Sequence, residues 1–323
     1  MLLTDFFKNK KVLIAGGAGF FGINLTKRFL ELGANVRASL HETEPLWKDS
    51  AVEYVIGDLE KSAHCMRICE EVDFLVIAAA NSSGAAIMEK TPLVHLTPNL
   101  IMNARLLEAA YAQNVGKTLF YSSNTVYPLT DYAVKETDVN FEYFSKYHVV
   151  GWMKRFSEIM CDMYSNHIKD PMKTVVVRPG NAYGPYDKFD PEKSKVIPAL
   201  IRRAVNKENP FSVWGDGMDL KDFIYIDDLV DGTVLALEKL DGGDYVNIAS
   251  GQPITIKEII KLILKSTGYK DANVEFDESM PSMIPKRMID ISKAREILGF
   301  TPRTNISDGI EKTVRWFIDS SKK

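Results

Sequence analysis

KVLIAGGAGFFG, residues 11 to 22, packs a strand, a turn and the start of a helix into one stretch. Val12, Leu13 and Ile14 are an apolar run that ends directly in a glycine cluster. Beyond it Leu25, Phe29, Leu30 and Leu32 recur at helical spacing up to Gly33. The glycines fit both Gly17-x-Gly19-x-x-Gly22 and Gly16-x-x-Gly19-x-x-Gly22. In such a pattern the backbone turns sharply, approaches a pyrophosphate and lets the helix pack close on the strand, while free amides at the helix start bind the phosphates. A glycine turn that merely reverses the chain is the competing reading.

Working outward, the elements alternate. Strand patterns at 35–40, 52–56, 73–80, 118–122 and 174–177 are separated by helical periodicity, most clearly at 91–114 and 149–167. Parallel strands need such crossovers, so the expected fold is α/β, a Rossmann-type doubly wound parallel sheet. After Tyr183 the texture changes. Gly184-Pro185, Pro191, Pro198, Pro210 and Gly215-Asp216-Gly217 interrupt shorter elements, with helices expected at 197–206, 226–240, 256–266 and 306–318. We expect a dinucleotide-binding domain over 1–180 and a smaller α/β substrate domain over 181–323, with the chain free to cross between them.

Composition excludes several classes. The chain has 323 residues, 46% of them hydrophobic, and a formal net charge of -3. Neither sign dominates, so no nucleic acid or membrane surface is expected as a partner. MLLTDFFKNKK at the start lacks a small-residue cleavage pattern, and no apolar run is long enough to span a bilayer. A cytoplasmic protein is expected. There are three cysteines, too few for a disulfide framework; Cys65 and Cys69 share a helix face without the second pair that would suggest zinc. No metal is expected.

With these pieces placed, the chain resembles the extended short-chain dehydrogenase/reductase family of NAD(P)-dependent nucleotide-sugar epimerases, dehydratases and reductases. The matching segments are GGAGFFG at 16–22, Gly57-Asp58-Leu59, the strand into Ala78-Ala79-Ala80, Asn99, SSNTVYP at 122–128, RPGNAYGP at 178–185 and DFIYIDD at 222–228. Within that family, residues 181–203 look most like the GDP-L-fucose synthase branch. The resemblance implies hydride transfer between a sugar carbon, usually C4, and a nicotinamide, with a side chain exchanging the hydroxyl proton. It implies cofactor contacts from Gly16, Gly19, Phe20, Phe21, Gly22, Asp58, Leu59, Ala78, Ala79, Ala80, Asn99, Lys154 and Pro179.

The family uses a tyrosine four residues before a lysine on one helix face. Lys154 fits the lysine, but the tyrosine position holds Val150, which cannot exchange a proton. Tyr147 and Tyr143 lie one or two turns earlier, and Tyr147 is a candidate substitute. The alternatives are an enzyme that uses Lys154, Thr125 or water, and a catalytically silent protein that binds cofactor and nucleotide sugar; the substitution is natural or engineered. Ser123 and Thr125 are the candidate hydroxyls, with Ser122 nearer the strand. In the GDP-L-fucose synthase branch the positions of Thr125 and Lys195 carry a cysteine and a histidine that serve as epimerisation acid and base, so double epimerisation is not expected here.

Leu40 stands where NAD enzymes place an acid, with Arg37, Ser39 and His41 around it. This points to NADP, with NAD as the alternative. On the substrate side the resemblance assigns Asn181 to the sugar or phosphate and Arg203, Lys221 and Arg287 to the diphosphate. Val196 and Trp214 are expected to flank the base, and Lys195 is a further candidate substrate contact. The expected substrate is a nucleotide-diphospho-sugar, GDP-linked. Asp227 and Asp228 are read as a cap of the helix that starts there. A homodimer formed through helices 97–114 and 149–167 is expected from the family.

Overall fold

The computed structural model describes residues 5–81, 92–191, 193–280 and 284–322. At its centre lies a parallel seven-stranded sheet. Its first strands are β1 (Lys11–Ala15), β2 (Asn35–Leu40), β3 (Glu53–Ile56), β4 (Phe74–Ile77) and β5 (Lys117–Tyr121). The short β6 (Ala133–Val134) lies elsewhere, and β7 (Thr174–Pro179) rejoins the sheet. Next come β8 (Asn181–Tyr183), β9 (Phe211–Trp214) and β10 (Leu220–Tyr225), before β11 (Asp244–Ile248) completes the edge beside β7. The order β11-β7-β5-β4-β1-β2-β3 reverses direction between β1 and β4. At such a switch point a crevice opens beyond the carboxyl ends of the strands.

Alternation along β1 explains the two helical layers. Val12 and Ile14 enter the apolar cluster that holds Leu25 and Phe29 of α1 (Phe20–Glu31). Leu13 and Ala15 enter the opposite cluster, which takes Cys65 and Ile68 of α2 (Ser62–Ile68) and Leu106 and Leu107 of α3 (Thr97–Ala112). Both faces are covered, which is why β1, β4, β5 and β7 each carry three or more consecutive apolar residues. The long helix α4 (His148–Asn166) packs against α3, and all three cysteines are buried and free.

The smaller sheet has the order β12 (Pro253–Thr255), β10, β14 (Lys286–Ile289), β6, with β8 also on β10, and β13 (Val274–Asp277) pairs β9. Around it lie α5 (Val196–Val205), α7 (Ile256–Thr267) and α8 (Ile306–Ser320), whereas α6 (Ile226–Lys239) packs on α1. The chain thus crosses twice: β6 leaves the first half for the small sheet, and α6 and β11 return from the second. Asp228 corrects one expectation. It does not cap α6; its carboxylate accepts from the backbone N–H groups of Arg303 (3.0 Å) and Thr304 (2.9 Å) and fixes the approach to α8. Among the described residues no helix is long and apolar enough to cross a membrane, and no cluster of side chains could hold a metal ion.

Candidate active site

The glycine turn is built by close approach. Gly16 has φ +93°, and a Cβ there would lie 2.7 Å from the Ala79 Cα; one on Gly22 would lie 2.1 Å from the Gly16 carbonyl oxygen. Side chains at either place would push β1, α1 and the β4 exit apart. Ser39 pins the turn from β2: its Oγ accepts from the Gly16 N–H (3.2 Å) and its carbonyl from the Gly17 N–H (2.9 Å). A Cβ on Gly19 would meet only the Gly16 carbonyl oxygen, at 3.3 Å, so its other side is open. α1 begins there with no side-chain cap and no acid in its first turn. The cradle therefore fits a pyrophosphate.

Around this turn the expected cofactor residues divide. Phe20 and Phe21 start α1, and the Phe21 ring lies 4.9 Å from that of Tyr121 at the end of β5. Ala78, Ala79 and Ala80 follow β4 at the switch point. Asn99 is almost fully buried and clamps the backbone of Asn81, accepting from its N–H (2.8 Å) and donating to its carbonyl (3.0 Å). Asn99 therefore shapes the β4 exit. Leu59 is buried, Asp58 accepts from the Glu60 N–H, and His41 is exposed just past β2. Pro179 ends β7, and its carbonyl accepts from the Asn124 amide at 3.1 Å.

Arg37 is not available to a cofactor phosphate, against expectation. Its guanidinium donates to the carbonyls of Ile68 (2.7 Å) and Glu70 (3.0 Å) and pairs with Glu53 (2.9 Å). Its side chain points to the α2 face from mid-strand, in register with Leu13, so it closes the end of α2. Strand alternation decides this, and composition around Leu40 could not reveal it.

The catalytic side centres on Lys154. Its ammonium donates to the Tyr121 carbonyl (2.8 Å) and lies 4.8 Å from the Phe120 ring centroid. Burial lowers its pKa to about 8; Glu158 opposes the change and Lys195 adds to it. Just beyond β5, the Thr125 hydroxyl donates to Ser123 Oγ (3.0 Å), which also accepts from the Thr125 N–H. Gly151 lets α4 approach this loop: a Cβ there would sit 3.0 Å from the Thr125 carbonyl oxygen and 2.8 Å from the Tyr143 ring. Val150 lies one turn before Lys154 on the same face. Tyr147 precedes α4, and burial pushes its hydroxyl up to about 12, the opposite of what a base requires. Tyr143 packs against Gly151 and Trp152 with its hydroxyl buried and unpartnered.

Behind these groups is a buried network that the sequence did not reveal. Glu158 accepts from Ser122 Oγ (2.5 Å), from Arg178 Nε and Nη2 (2.8 and 2.9 Å) and from Arg155 (2.9 Å). Arg178 also donates to the Tyr127 hydroxyl, which donates to Asn247 Oδ1 (2.6 Å). Ser122, β7 and β11 are joined through this chain. Ser122 and Tyr127 lie in the 122–128 motif and Arg178 in the 178–185 motif, but their partners lie across the fold.

On the substrate side Lys221 and Arg287 are register partners on β10 and β14, so two cations stand side by side. Arg287 is 1% exposed and donates to the carbonyls of Pro128 (2.9 Å) and Tyr127 (3.1 Å). Its Nε has no partner, and burial lowers its pKa to about 10. Lys221 pairs with Asp219 (3.1 Å) and donates to the Ile284 carbonyl. Arg203 is tied to the Ser212 carbonyl and Glu208. The Asn181 amide donates to the Asp222 carbonyl (3.0 Å). Trp214 and Val196 are exposed at the end of β9 and the start of α5, and Lys195 is the residue that leads into α5. Sequence reading missed Asp187, a buried carboxylate whose strongest charged neighbour is Lys195 and whose Oδ2 makes no hydrogen bond.

The family model described as NAD dependent epimerase/dehydratase family matches residues 12–249. The chain belongs to that family. GDP-L-fucose synthase 1 of Arabidopsis thaliana is 28% identical over 320 residues, covering 96% of this chain and 94% of its own. The GDP-L-fucose synthase of Escherichia coli (strain K12) is 26% identical, covering 97% and 98%. UDP-glucose 4-epimerase of Thermotoga maritima, solved with UDP-glucose, has a TM-score of 0.87 at 25% identity and covers 96% of this chain and 99% of that one. The epimerase/dehydratase assignment makes the protein an NAD(P)-dependent enzyme of the nucleotide-sugar epimerase and reductase type. A nicotinamide cofactor held by the glycine cradle would supply or accept a hydride. The glycine cradle, Lys154 and the Ser123–Thr125 pair all lie at the carboxyl end of the sheet, as that chemistry requires.

Proposed function

We propose that the protein oxidises or reduces C4 of a GDP-linked diphospho-sugar. The observation that carries this reading is the half-buried Lys154 ammonium on the carbonyl of Tyr121, the last residue of the strand that leads into the Ser123–Thr125 hydroxyl pair. These groups can hold a sugar hydroxyl and exchange its proton. Lys221 and Arg287 supply adjacent cations for a diphosphate. The GDP assignment is supported by the likeness of residues 181–203 and by the plant and bacterial relatives named above. NADP is the preferred cofactor because Leu40 replaces the acid that binds a free ribose. Thr125 and Lys195 in place of cysteine and histidine favour simple oxidoreduction over double epimerisation.

A cytoplasmic homodimer fits this reading. Trp152, Phe156 and Met163 of α4 and Tyr111 of α3 are exposed large apolar side chains on the two helices expected to pair. A second reading, a protein that binds both ligands without turnover, is favoured by Val150 alone.

The experiment is product mass spectrometry after incubation with GDP-, UDP-, dTDP- and CDP-sugars in deuterated water, with NADP and NAD supplied separately. A mass change confined to the GDP series supports the proposal. A change confined to another series corrects the nucleotide. No change in any series, with cofactor and nucleotide bound, moves the assignment to the binding protein.

A further inference from the structure

Hydride transfer between two ligands requires that their reacting carbons be held at a fixed separation, and the residues for the two ligands belong to different sheets. The glycine cradle opens α1 on the large sheet, whereas Asn181, Lys221 and Arg287 lie on strands of the small one. Contacts between the halves must register one against the other. The Gly184–Asp187 turn stands at that junction: it follows β8 directly, and β8 runs beside β10 up to the pair Tyr183 and Tyr225.

α1 grips this turn along one stripe, on which Phe20, Asn24 and Lys27 recur at helical spacing. The amide of the buried Asn24 donates twice, to the Phe20 carbonyl in the first turn of its own helix (2.8 Å) and to the Pro185 carbonyl across the junction (3.1 Å). One turn further along, the Lys27 ammonium lies 5.2 Å from the Tyr186 ring centroid and 5.6 Å from that of Trp47, in the segment that follows β2. Tyr186 has φ +69°, in the left-handed region that side chains disfavour. Such a conformation persists where the surroundings over-determine it. Here Lys27 meets the Tyr186 ring, and the ring of Trp316 in α8 lies 5.1 Å away.

We propose that Asn24 and Lys27 are positioning residues that couple the two ligand sites: they hold the Gly184–Asp187 turn, and with it β8, against the helix whose start cradles the pyrophosphate. This role rests on the pairing of cofactor and nucleotide sugar proposed above, whichever nucleotide the sugar carries. An ammonium shared by two aromatic faces attracts both, so Lys27 draws the stretch after β2 and the substrate turn onto α1. Asn24 ties the same turn to the first carbonyl of that helix. A cofactor that fixes the start of α1 therefore steadies the turn. A sugar nucleotide that fixes β8 steadies α1 in return, because coupling between two binding sites is reciprocal.

The first test needs only the cofactor. Backbone hydrogen exchange is followed by mass spectrometry with and without saturating NADP or NAD, whichever binds tighter. In the wild type the cofactor is expected to slow exchange across 182–189 as well as across 16–24. Asn24→Ala, and Lys27→Met at a partly exposed site, are expected to keep the protection at 16–24 and to lose most of it at 182–189; Lys27→Arg, which retains a cation for the rings, is expected to keep both. The second test is calorimetric titration with GDP and with UDP, with and without cofactor. In the wild type cofactor is expected to tighten one of them by about fivefold or more, an ordinary coupling, and in both variants by less than about twofold. A wild-type segment 182–189 that ignores the cofactor overturns the proposal, as does protection or coupling that survives in both variants. Should Asn24→Ala not fold, Lys27→Met decides. A protein that binds neither GDP nor UDP contradicts the nucleotide reading, and hydrogen exchange still decides the coupling.

Discussion

Glu158 and Arg178 meet as a bidentate pair, at 2.8 and 2.9 Å, with neither side chain more than 2% exposed. The pair connects α4 to β7, and through Ser122 and Tyr127 it reaches both ends of the loop that carries Ser123 and Thr125. Removing one partner strands a buried charge. Arg178→Met is expected to cost about 3–5 kcal/mol in urea unfolding. Glu158→Gln, which keeps the shape and part of the hydrogen bonding, is expected to cost less. Equal and small losses would show that the pair does not hold the loop.

The glycine turn predicts a separation of effects. Gly22→Ala places a methyl group 2.1 Å from the Gly16 carbonyl oxygen and should lower the melting temperature. Gly19→Ala has room at the backbone and should melt close to wild type. It should still lose NADP affinity by about tenfold, a cost of roughly 1.4 kcal/mol, because the new methyl occupies the open side. Calorimetric titration with NADP beside thermal melts separates the two.

Arg37 should have no part in cofactor choice. Its guanidinium is held by Ile68, Glu70 and Glu53, so Arg37→Met is expected to destabilise the fold while leaving the NADP-to-NAD affinity ratio within about twofold, under half a kcal/mol. A collapse of that ratio in the folded variant would return Arg37 to the cofactor site.

Much of this was legible in advance, and the failures share a cause. The alternation of strand and helix and the glycine turn came from periodicity and local motif, which depend on neighbours in the chain, and the placing of Lys154 came from the family resemblance. Arg37, Asp228 and the Glu158–Arg178 network depend on what lies across the fold. Asp228 binds backbone that follows it by more than seventy residues, and no spacing within one helix announces such a partner. Arg287 was legible as a cation, but its hold on Tyr127 and Pro128 was not.

The exposed aromatic stripe predicts assembly. Trp152→Lys with Phe156→Glu should convert a dimer to a monomer in sedimentation experiments without changing the melting cooperativity of the protomer. A wild-type protein that is monomeric at micromolar concentration contradicts the dimer.

Val150→Tyr would put a phenol one turn before the Lys154 ammonium. Turnover at neutral pH is expected to rise by up to about a hundredfold, the lower range for a placed acid or base. An unchanged rate with both ligands bound would mean that the sugar does not present its hydroxyl to this face.

The most direct measurement is isotope transfer between the two ligands. Protein is mixed with oxidised NADP and a GDP-hexose carrying deuterium at C4, and the nicotinamide is recovered for mass analysis; the reverse uses deuterated NADPH and the 4-keto sugar. The account predicts deuterium moving between sugar C4 and nicotinamide C4 in at least one direction. Both ligands bound with no deuterium exchanged would contradict it.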